Sequence, residues 1–296
     1  MDLLPFDNRD GQIWFDGKFV PWRNAKIHAL SHGLHYGSSV FEGERSYGGT
    51  IFKLRVHTDR LINSGRMLGF NIPYEADRID AACRQVIKTN GLTDAYVRPL
   101  AWRGSEQMGV AASRSKIHLM IAAWAWPNPH VAKHLEGIRL DISHCWLLPP
   151  ASTMPVAAKA AGLYTTKTLV KHMAEANGFD DALMMDVEGM IGECTGANIF
   201  LVFNGEIHTP IPHCFLDGIT RRTAIDLLRK RGHEVVERKI PAQEIAEASE
   251  VFITGTACEI TRVQQIGDFA FISGEITATL IADYRDLVLG KTKPKI

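Results

Sequence analysis

The chain has 296 residues, of which 46% are hydrophobic and 22% charged, and its formal net charge is +0. This composition is typical of soluble globular proteins and predicts either one large domain or two of ordinary size. No block of like charge supports binding to nucleic acid or to an anionic membrane. The N-terminus lacks the apolar run of a signal peptide and the five cysteines are scattered, so we expect a reduced, cytoplasmic protein.

Short strands and helices alternate along the first half of the chain. Asp16-Gly17 predicts a hairpin between strands at 13–15 and 18–20. Hydrophobic periodicity predicts the elements that follow: a strand at 50–56, helices at 57–70 and 76–89 with a stop at Gly91, and buried strands at 96–102 and 117–126.

Two closely spaced prolines, Pro127 and Pro129, predict a break in the chain. We therefore predict a small N-terminal α/β domain at 1–126, an interdomain loop at 127–136, and a large C-terminal domain at 137–296 that carries Lys159. In that domain the predicted elements are strands at 182–185, 198–202, 234–240 and 251–254, a hairpin at Asn204-Gly205, and helices at 220–231, 243–248 and 276–289. Their mixed order favours an α+β fold over regular βαβ winding.

Lys159 lies among small apolar residues in the segment 154–164. A buried ammonium group is costly unless it is paired or neutralised. Burial lowers the pKa of a lysine and so favours the neutral amine that attacks an aldehyde. This segment alone fits equally well a lysine on the exposed face of a small-residue helix.

Two backbone segments are candidates for binding a phosphate group. Gly218-Ile219-Thr220 opens a predicted helix, with Thr220 as its cap, and helix N-termini bind anions. Gly255-Thr256-Ala257 follows a predicted strand and offers a second backbone cradle. Each segment alone is also an ordinary cap or turn.

Together these residues resemble the signature of the class IV (fold-type IV) pyridoxal-phosphate-dependent aminotransferases. The matching positions are Glu193, Asn198, Phe200, Thr209, Leu216, Gly218, Ile219 and Arg221. The segments 31–47, 57–61, 95–100 and 108–110 are similar to those of bacterial branched-chain amino-acid aminotransferases within this family.

The resemblance implies a two-domain α+β fold of the D-amino-acid-aminotransferase type and pyridoxal 5'-phosphate as cofactor. It implies transamination of L-leucine, L-isoleucine and L-valine with 2-oxoglutarate, which gives branched 2-oxo acids and L-glutamate. The implied partners are these small molecules and a second copy of the chain, in a homodimer or a dimer-based higher oligomer.

The resemblance also assigns roles to residues near the cofactor. Lys159 is implied as the Schiff-base lysine and the proton shuttle at the substrate Cα. Glu193 would face the pyridine nitrogen and keep it protonated, and Tyr164 would lie near the phenolic oxygen. The implied phosphate ligands are Arg60, Ile219, Thr220 and Thr256, and Leu216 and Gly218 complete the cofactor set.

The substrate set is implied in the same way. Tyr36, Phe41, Tyr164, Met108 and Val110 would line an apolar pocket. Tyr96 and the N–H groups of Thr256 and Ala257 would hold the α-carboxylate. Arg98 would meet the second carboxylate of glutamate, and Arg45 favours the branched-chain type.

The sequence departs from the family at 126–130, where the family commonly has a Gly-Ala-Tyr stretch. Alternatives stay open for both site and function. His28, His32 and His35 have the spacing of metal ligands on one face, although no acidic residue or cysteine completes the set. The rival activities on this fold are D-amino-acid transamination, (R)-amine transamination and aminodeoxychorismate lyase chemistry. A non-enzymatic binding protein is the third class, against which Lys159 and Glu193 speak together.

Overall fold

The backbone contacts of the computed structural model group the chain into two units. Unit 1 comprises Met1–Asn128 together with Ala158–Gly162, and unit 2 comprises Pro129–Ala157 together with Leu163–Ile296. The structure describes residues 4–126, 131–272 and 274–291. Within these ranges, every helix is too short or too polar to span a bilayer.

Unit 1 combines one sheet with helices. Its described strands are β1 (Gln12–Phe15), β2 (Lys18–Pro21), β3 (Ser39–Phe41), β4 (Glu44–Tyr47), β5 (Thr50–Ile51), β6 (Ala95–Arg103) and β7 (Ile117–Ala125). Its described helices are α1 (His32–Tyr36), α2 (Leu54–Met67) and α3 (Ala76–Thr89). The strand order is β2-β1-β7-β6-β4-β5, with β3 also paired to β6.

The predicted hairpin and the helix α3 are confirmed. Asp16 and Gly17 both have positive φ angles, 47° and 93°, as a tight two-residue hairpin turn requires. Helix α3 has the predicted bounds because its apolar residues recur at helical spacing, so that one face packs on β1, β6 and β7. Gly91, with φ 63°, follows the end of this helix.

The strand predicted at 50–56 is wrong beyond Ile51. Lys53 takes a left-handed conformation with φ 50°, and helix α2 begins at Leu54. Leu54 and Leu61 are buried on the same side of this helix. A short alternating stretch fits a strand or the first turn of an amphipathic helix, and here packing favours the helix.

Unit 2 is built on a larger mixed sheet. Its described strands are β8 (Ile138–Ile142), β9 (Asp181–Met185), β10 (Ile191–Cys194), β11 (Asn198–Phe203), β12 (Glu206–Pro210), β13 (Val235–Arg238), β14 (Glu250–Gly255), β15 (Glu259–Ile266) and β16 (Phe269–Ala270). Its described helices are α4 (Val131–Glu136), α5 (Tyr164–Ala176), α6 (Ile219–Lys230) and α7 (Glu275–Val288).

The unit 2 sheet closes on itself. The strand order is β10-β9-β8-β15-β14-β11-β12-β13, and β10 also pairs with β11 through Glu193 and Asn198. The interior of this ring is an apolar core that includes Leu140, Ile199 and Val263, all fully buried. Helices α6 and α7 pack on β14 and β15, which fixes the start of α6 relative to the sheet.

Two features of the structure differ from what the predicted domain division would suggest. Residues 131–136 were expected in the interdomain loop, but they form α4, which packs on β15, a contact that the sequence does not reveal. The rest of the predicted break, 127–130, lies outside the described residues. Lys159 was assigned to the C-terminal domain, whereas its contacts group it with unit 1 because Ala160 bridges to Val40.

Candidate active site

Lys159 lies between a turn and the bridge residue Ala160, outside any helix and only half-exposed, so the alternative of an exposed helical lysine is wrong. Its backbone N–H donates to Oγ of Ser64 at 3.0 Å, and its carbonyl accepts from the N–H of Phe41 at 3.1 Å. The half-buried side chain places Nζ 5.0 Å from the centre of the Phe41 ring. The backbone of Lys159 is therefore held by hydrogen bonds on both sides, to Ser64 and to Phe41.

Arg60, the predicted phosphate ligand, is held by Glu42. Its Nε and Nη2 donate to the two carboxylate oxygens at 2.7 and 2.8 Å, and the carboxylate is fully buried. His57 lies on the same helix, α2, with its Nδ1 2.7 Å from Oε2 of Glu42. A two-point contact of this kind fixes the plane of the guanidinium group, whose Nη1 edge Glu42 does not use.

The charges of this cluster follow from its burial. Burial alone would raise the pKa of Glu42, but Arg60 and His57 lower it by more, so the carboxyl stays ionised far below its usual range. Burial lowers the pKa of His57, and Glu42 offsets only part of that effect. At neutral pH the cluster therefore consists of one anion, one cation and one neutral imidazole.

Arg98, on β6, is surrounded by aromatic rings from three strands. Its Cζ is 4.9 Å from the ring centre of Phe41, 5.4 Å from that of Tyr96 and 5.9 Å from that of Trp124. Its Nε is buried and has no hydrogen-bond partner among the described residues. The guanidinium lines a pocket of about 820 Å³ in unit 1, whose other walls include Trp22, Met120, Ala122 and Trp124. Asp7, Arg23 and Lys26 also line this pocket, so it combines aromatic walls with charged groups. The aromatic rings around the incompletely hydrogen-bonded Arg98 suit a ligand group that is apolar or that ends in a carboxylate.

Gly43 determines where Tyr96 lies. A Cβ atom at position 43 would be 1.9 Å from the Tyr96 hydroxyl, so only glycine leaves room for this ring. Arg45 is paired with Tyr96 across β4 and β6 and is 1% exposed. Residues paired in this way project on the same face of a sheet, so the predicted substrate residues Arg45, Tyr96 and Arg98 share one face of it.

Other predicted pocket residues lie at the surface of unit 1. The Tyr36 hydroxyl donates to the carbonyl of Met108 at 2.9 Å, and the Tyr36 side chain is exposed. Val110 is 85% exposed, so the single chain does not place it in an apolar pocket. Because His32 contacts Ser38 at 2.6 Å and the Gly109 carbonyl at 3.1 Å, its ring serves to hold this loop.

The other two histidines with the spacing of metal ligands, His28 and His35, also have local contacts. Nδ1 of His28 accepts from the N–H of Leu30, and Nε2 of His35 lies 2.9 Å from the Ala29 carbonyl. At the departure from the family, the ring of Trp126 lies 5.3 Å from that of Tyr96, and the remaining residues, 127–130, are outside the described ranges.

In unit 2, Glu193 lies on β10 with its side chain 5% exposed. Oε1 is 2.5 Å from Nζ of Lys167 on α5, and Oε2 accepts from Nδ2 of Asn198 at 3.3 Å. Lys167 also lies 4.9 Å from the ring centre of Tyr164, which begins the same helix. Glu193 and Tyr164, both predicted to contact the cofactor ring, therefore share Lys167 as a neighbour.

Helix α6 begins at Ile219, and its cap is Gly218 instead of the predicted Thr220. A Cβ atom at position 218 would lie 2.2 Å from Oδ1 of Asn198, which explains the glycine. Asn198 also donates to the Leu216 carbonyl at 3.0 Å, so it supports both predicted residues before the helix. No side chain caps the helix, although Ile219 and Thr220 are buried. A buried, uncapped helix start has backbone N–H groups that need an acceptor, and an anion supplies one.

The turn after β14 shows weaker evidence of a polar ligand than the start of α6 does. Thr256 is half-buried and Ala257 exposed in the turn between β14 and β15. On β14 itself, the buried hydroxyl of Thr254 has no hydrogen-bond partner among the described residues. Thr254 is paired with Asn198, so its side chain is on the face that carries Asn198.

Several of these residues were not assigned a role from the sequence. Glu42 and Gly43 lie inside the segment 31–47, where an acidic residue and a glycine follow an aromatic one, but nothing in that segment names Arg60 and Tyr96 as their partners. Lys167 is three residues after Tyr164, a spacing that puts both on one helical face. Thr254 adjoins the predicted Gly255-Thr256-Ala257 segment and gives no separate signal.

Comparison with known proteins identifies the family of the chain. The family model described as amino-transferase class IV matches residues 39–266. The branched-chain-amino-acid aminotransferase of Pseudomonas aeruginosa is 40% identical over 294 residues, which cover 97% of this chain and 95% of that protein.

Solved structures agree over the same length. The branched-chain amino acid aminotransferase from Escherichia coli has a TM-score of 0.90 and 36% identity, covering 97% of this chain and 97% of that one. The holo-form of the Thermobaculum terrenum enzyme, with PLP, has a TM-score of 0.87 and 29% identity, covering 96% and 95%.

These likenesses confirm the predicted fold, a two-domain α+β arrangement of fold-type IV. The two alignments cover 97% of the chain, at 40% and 36% sequence identity. The chain is an enzyme and belongs to the class IV aminotransferase family.

Proposed function

We propose that this enzyme transfers amino groups between L-leucine, L-isoleucine or L-valine and 2-oxoglutarate. The products are the branched 2-oxo acids and L-glutamate. The relatives are branched-chain aminotransferases, which supports this substrate class. The aromatic surroundings of Arg98 on the unit 1 sheet support it as well.

The cofactor is pyridoxal 5'-phosphate, and the residues present fit it. The buried, uncapped start of α6 offers N–H groups of Ile219 and Thr220 to a phosphate. Arg60 offers a guanidinium that Glu42 holds in one plane. We assign the phosphate to these groups and to Thr256, and the ring nitrogen to Glu193.

When bound, the cofactor supplies an electron-withdrawing ring that makes the proton on the substrate Cα removable. Lys159 would hold the cofactor through Nζ, and the same amine would accept the proton from the substrate Cα. The backbone hydrogen bonds of Lys159 to Ser64 and Phe41 hold the segment from which this side chain extends. Glu193 would hold the ring nitrogen in its protonated form, and Tyr164 would donate to the phenolic oxygen.

The observation that carries the substrate assignment is the shared ring of Phe41. Nζ of Lys159 is 5.0 Å and Cζ of Arg98 is 4.9 Å from its centre. A substrate reacting at Lys159 therefore extends its side chain along Phe41 toward Arg98. An isobutyl group packs on the aromatic rings, and a propionate reaches the guanidinium.

We also propose that the enzyme is a homodimer or a larger assembly of dimers. Val110 is so exposed in the single chain that its place in an apolar pocket requires a second copy. Leu30 and Leu34, near Tyr36 in sequence, are exposed as well and would be covered in the same interface. Analytical ultracentrifugation tests this, and a monomer at micromolar concentration would contradict it.

The function is tested by measuring the two half-reactions with separate substrates in both stereochemical series. We expect rapid amino transfer from L-leucine, L-isoleucine, L-valine and L-glutamate, and at least about a hundredfold lower kcat/KM for the D-enantiomers and for (R)-amines. Faster reaction of the D-series would assign the enzyme to D-amino-acid transamination instead.

A further inference from the structure

Lys167 is a buried cation that the reaction as described does not use. Its Nζ lies 2.5 Å from Oε1 of Glu193, and the two side chains are 12% and 5% exposed. Removing two charges from water is costly, and such a pair is often no more stable than apolar residues of the same volume. Stability alone therefore does not explain why this ion pair is buried.

The amine of Lys167 carries a proton at neutral pH. Burial lowers its pKa, but Glu193, Tyr164 and Asp181 together raise it by more, and the net pKa lies above the ordinary 10.5. A protonated amine does not attack an aldehyde, so Lys167 does not compete with Lys159 for the cofactor.

Uncharged groups near the Glu193 carboxylate include Asn198 and two cysteines, whereas the buried carboxyl of Asp181 acts electrostatically on both Lys167 and Cys194. Asn198 donates its amide N–H to Oε2. Burial raises the pKa of two nearby thiols, that of Cys194 on the same strand well above its usual range and that of Cys214 to about 12, so both are uncharged. Lys167 therefore supplies positive charge to a carboxylate whose burial would otherwise favour the neutral acid.

We propose that Lys167 is a positioning residue whose ammonium group keeps the Glu193 carboxylate ionised and oriented for the ring nitrogen of the cofactor. This inference rests on the proposed role of Glu193. A protonated Glu193 would itself be a hydrogen-bond donor and would leave the ring nitrogen without its anion. Lys167 lies 2.5 Å from Oε1 of Glu193, so it stabilises the ionised carboxylate directly.

The test uses the apoenzyme and measures its affinity for pyridoxal 5'-phosphate by visible absorbance, from mildly acidic to mildly alkaline pH. The ratio of the dissociation constants of variant and natural chain cancels the ionisation of the cofactor itself. In Lys167→Met the pKa of Glu193 rises, so we expect this ratio to grow about tenfold per pH unit as the pH falls below that pKa. Lys167→Arg keeps a cation and should give a ratio that does not vary with pH.

Lys171→Met is the matched control. Lys171 is one turn further along α5 and contacts the Asp180 carbonyl and Glu175, away from Glu193. It should leave the affinity unchanged at every pH. A ratio for Lys167→Met that is as flat as that of this control would overturn the proposal.

A double variant distinguishes an effect of Lys167 that acts through Glu193 from a general effect on folding. If Lys167 acts through Glu193, adding Lys167→Met to Glu193→Gln should cause no further pH-dependent loss of affinity. If Lys167→Met alone does not fold, recovery of folding in the double variant supports the ion pair, and continued failure contradicts it. A Glu193→Gln enzyme with natural affinity and natural kcat would instead overturn the proposed role of Glu193 itself.

Discussion

The side-chain nitrogen of Lys159 lies 5.0 Å from the centre of the Phe41 ring, and the Phe41 N–H donates to the Lys159 carbonyl at 3.1 Å. The contact joins the end of strand β3 to a segment far away in sequence. Because Ser64 accepts from the other side of Lys159, the backbone of this lysine is set by hydrogen bonds that do not involve its side chain. Its side chain can therefore be replaced without moving the segment.

Lys159→Ala should abolish transamination and the visible absorbance of the bound cofactor while the protein stays folded. The matched control is Lys171→Ala, which removes a lysine of unit 2 that is paired with Glu175 at 3.6 Å and should retain both properties. Borohydride reduction followed by peptide mapping identifies the modified lysine. Finding the cofactor on Lys167 or Lys171 would show that the assignment is wrong.

Arg60→Ala should weaken cofactor binding without eliminating it, because the start of α6 provides further donors. A charge-assisted hydrogen bond contributes about 1.5–3 kcal/mol, so we expect a loss of about one to two decades in affinity. Equilibrium titration of the apoenzyme measures it. Arg66→Ala on the same helix, which removes an exposed arginine bonded to Asn63, is the control and should bind normally. An unchanged affinity in Arg60→Ala would contradict the phosphate role.

His57 should make the enzyme less stable in mild acid. Its pKa is lowered by burial from the ordinary 6.5, so the unfolded chain takes up a proton near pH 6.5 and the folded chain does not. The contribution to the unfolding free energy is thus present above pH 6.5 and lost as the pH falls toward the folded pKa, with a slope of up to about 1.4 kcal/mol per pH unit. Glu42, whose pKa is lowered from 4.5, acts only at more acidic pH.

Denaturant unfolding between neutral and mildly acidic pH tests this slope. His57→Gln keeps an N–H donor for Glu42 and does not titrate, so it should flatten the slope. His35→Gln, at an exposed position, is the control and should leave the slope in place. Equal slopes for the natural chain and His57→Gln would refute the explanation.

Local patterns predict an element well when its apolar spacing and its ends agree. Helix α3 has both a regular apolar face and Gly91 after its end, and the hairpin at Asp16-Gly17 needs only two residues that accept positive φ. The stretch 50–56 has neither a clear period nor a clear end. There the helix begins at Leu54, after a left-handed Lys53 that no sequence pattern indicates.

The sequence did not predict which side chains from distant segments contact each other. Resemblance to the family indicated Arg60 and Glu193, but not that Glu42 holds the first and Lys167 pairs with the second. Each pair depends on how a helix packs on a strand, which is a tertiary property. The cap of α6 was also missed, because Asn198, on another strand, fills the space that a side chain at Gly218 would need.

Gly43→Ala should impair substrate binding more than cofactor binding. The new methyl group would lie 1.9 Å from the Tyr96 hydroxyl, so this ring must move away from its place beside Arg98. We expect KM for both substrate classes to rise about tenfold or more, with a loss of about 1–3 kcal/mol in stability from overpacking. The bound-cofactor absorbance should be retained.

The control for this substitution is Gly109→Ala. The nearest atom to a Cβ at position 109 is the Ala111 carbonyl oxygen, at 4.0 Å, so the methyl group fits. Steady-state kinetics of the two variants test whether the position of Tyr96 affects substrate binding. If Gly43→Ala has the KM values of the natural enzyme, Tyr96 does not hold the substrate where we propose.

Arg98 should distinguish the two substrates of the enzyme. An apolar side chain needs only the aromatic walls, whereas a carboxylate entering the same pocket would be a buried, unpaired charge without a cation. Nε of Arg98 is buried without a partner among the described residues, so the guanidinium has hydrogen-bonding capacity to offer. Arg98→Leu should therefore lower kcat/KM for 2-oxoglutarate by about one to two decades and that for leucine much less.

Single-turnover measurements of each half-reaction separate the two effects, since the amino form of the enzyme persists between them. Arg23→Leu is the matched control, because Arg23 lines the same pocket but is paired with Asp10 at 2.7 Å in an exposed position. It should leave both half-reactions unchanged. Equal losses for the two substrates in Arg98→Leu would point to a structural or α-carboxylate role for Arg98. The recognition of glutamate would then fall to another cation, for which the buried Arg45, on the same face of the sheet, is the candidate.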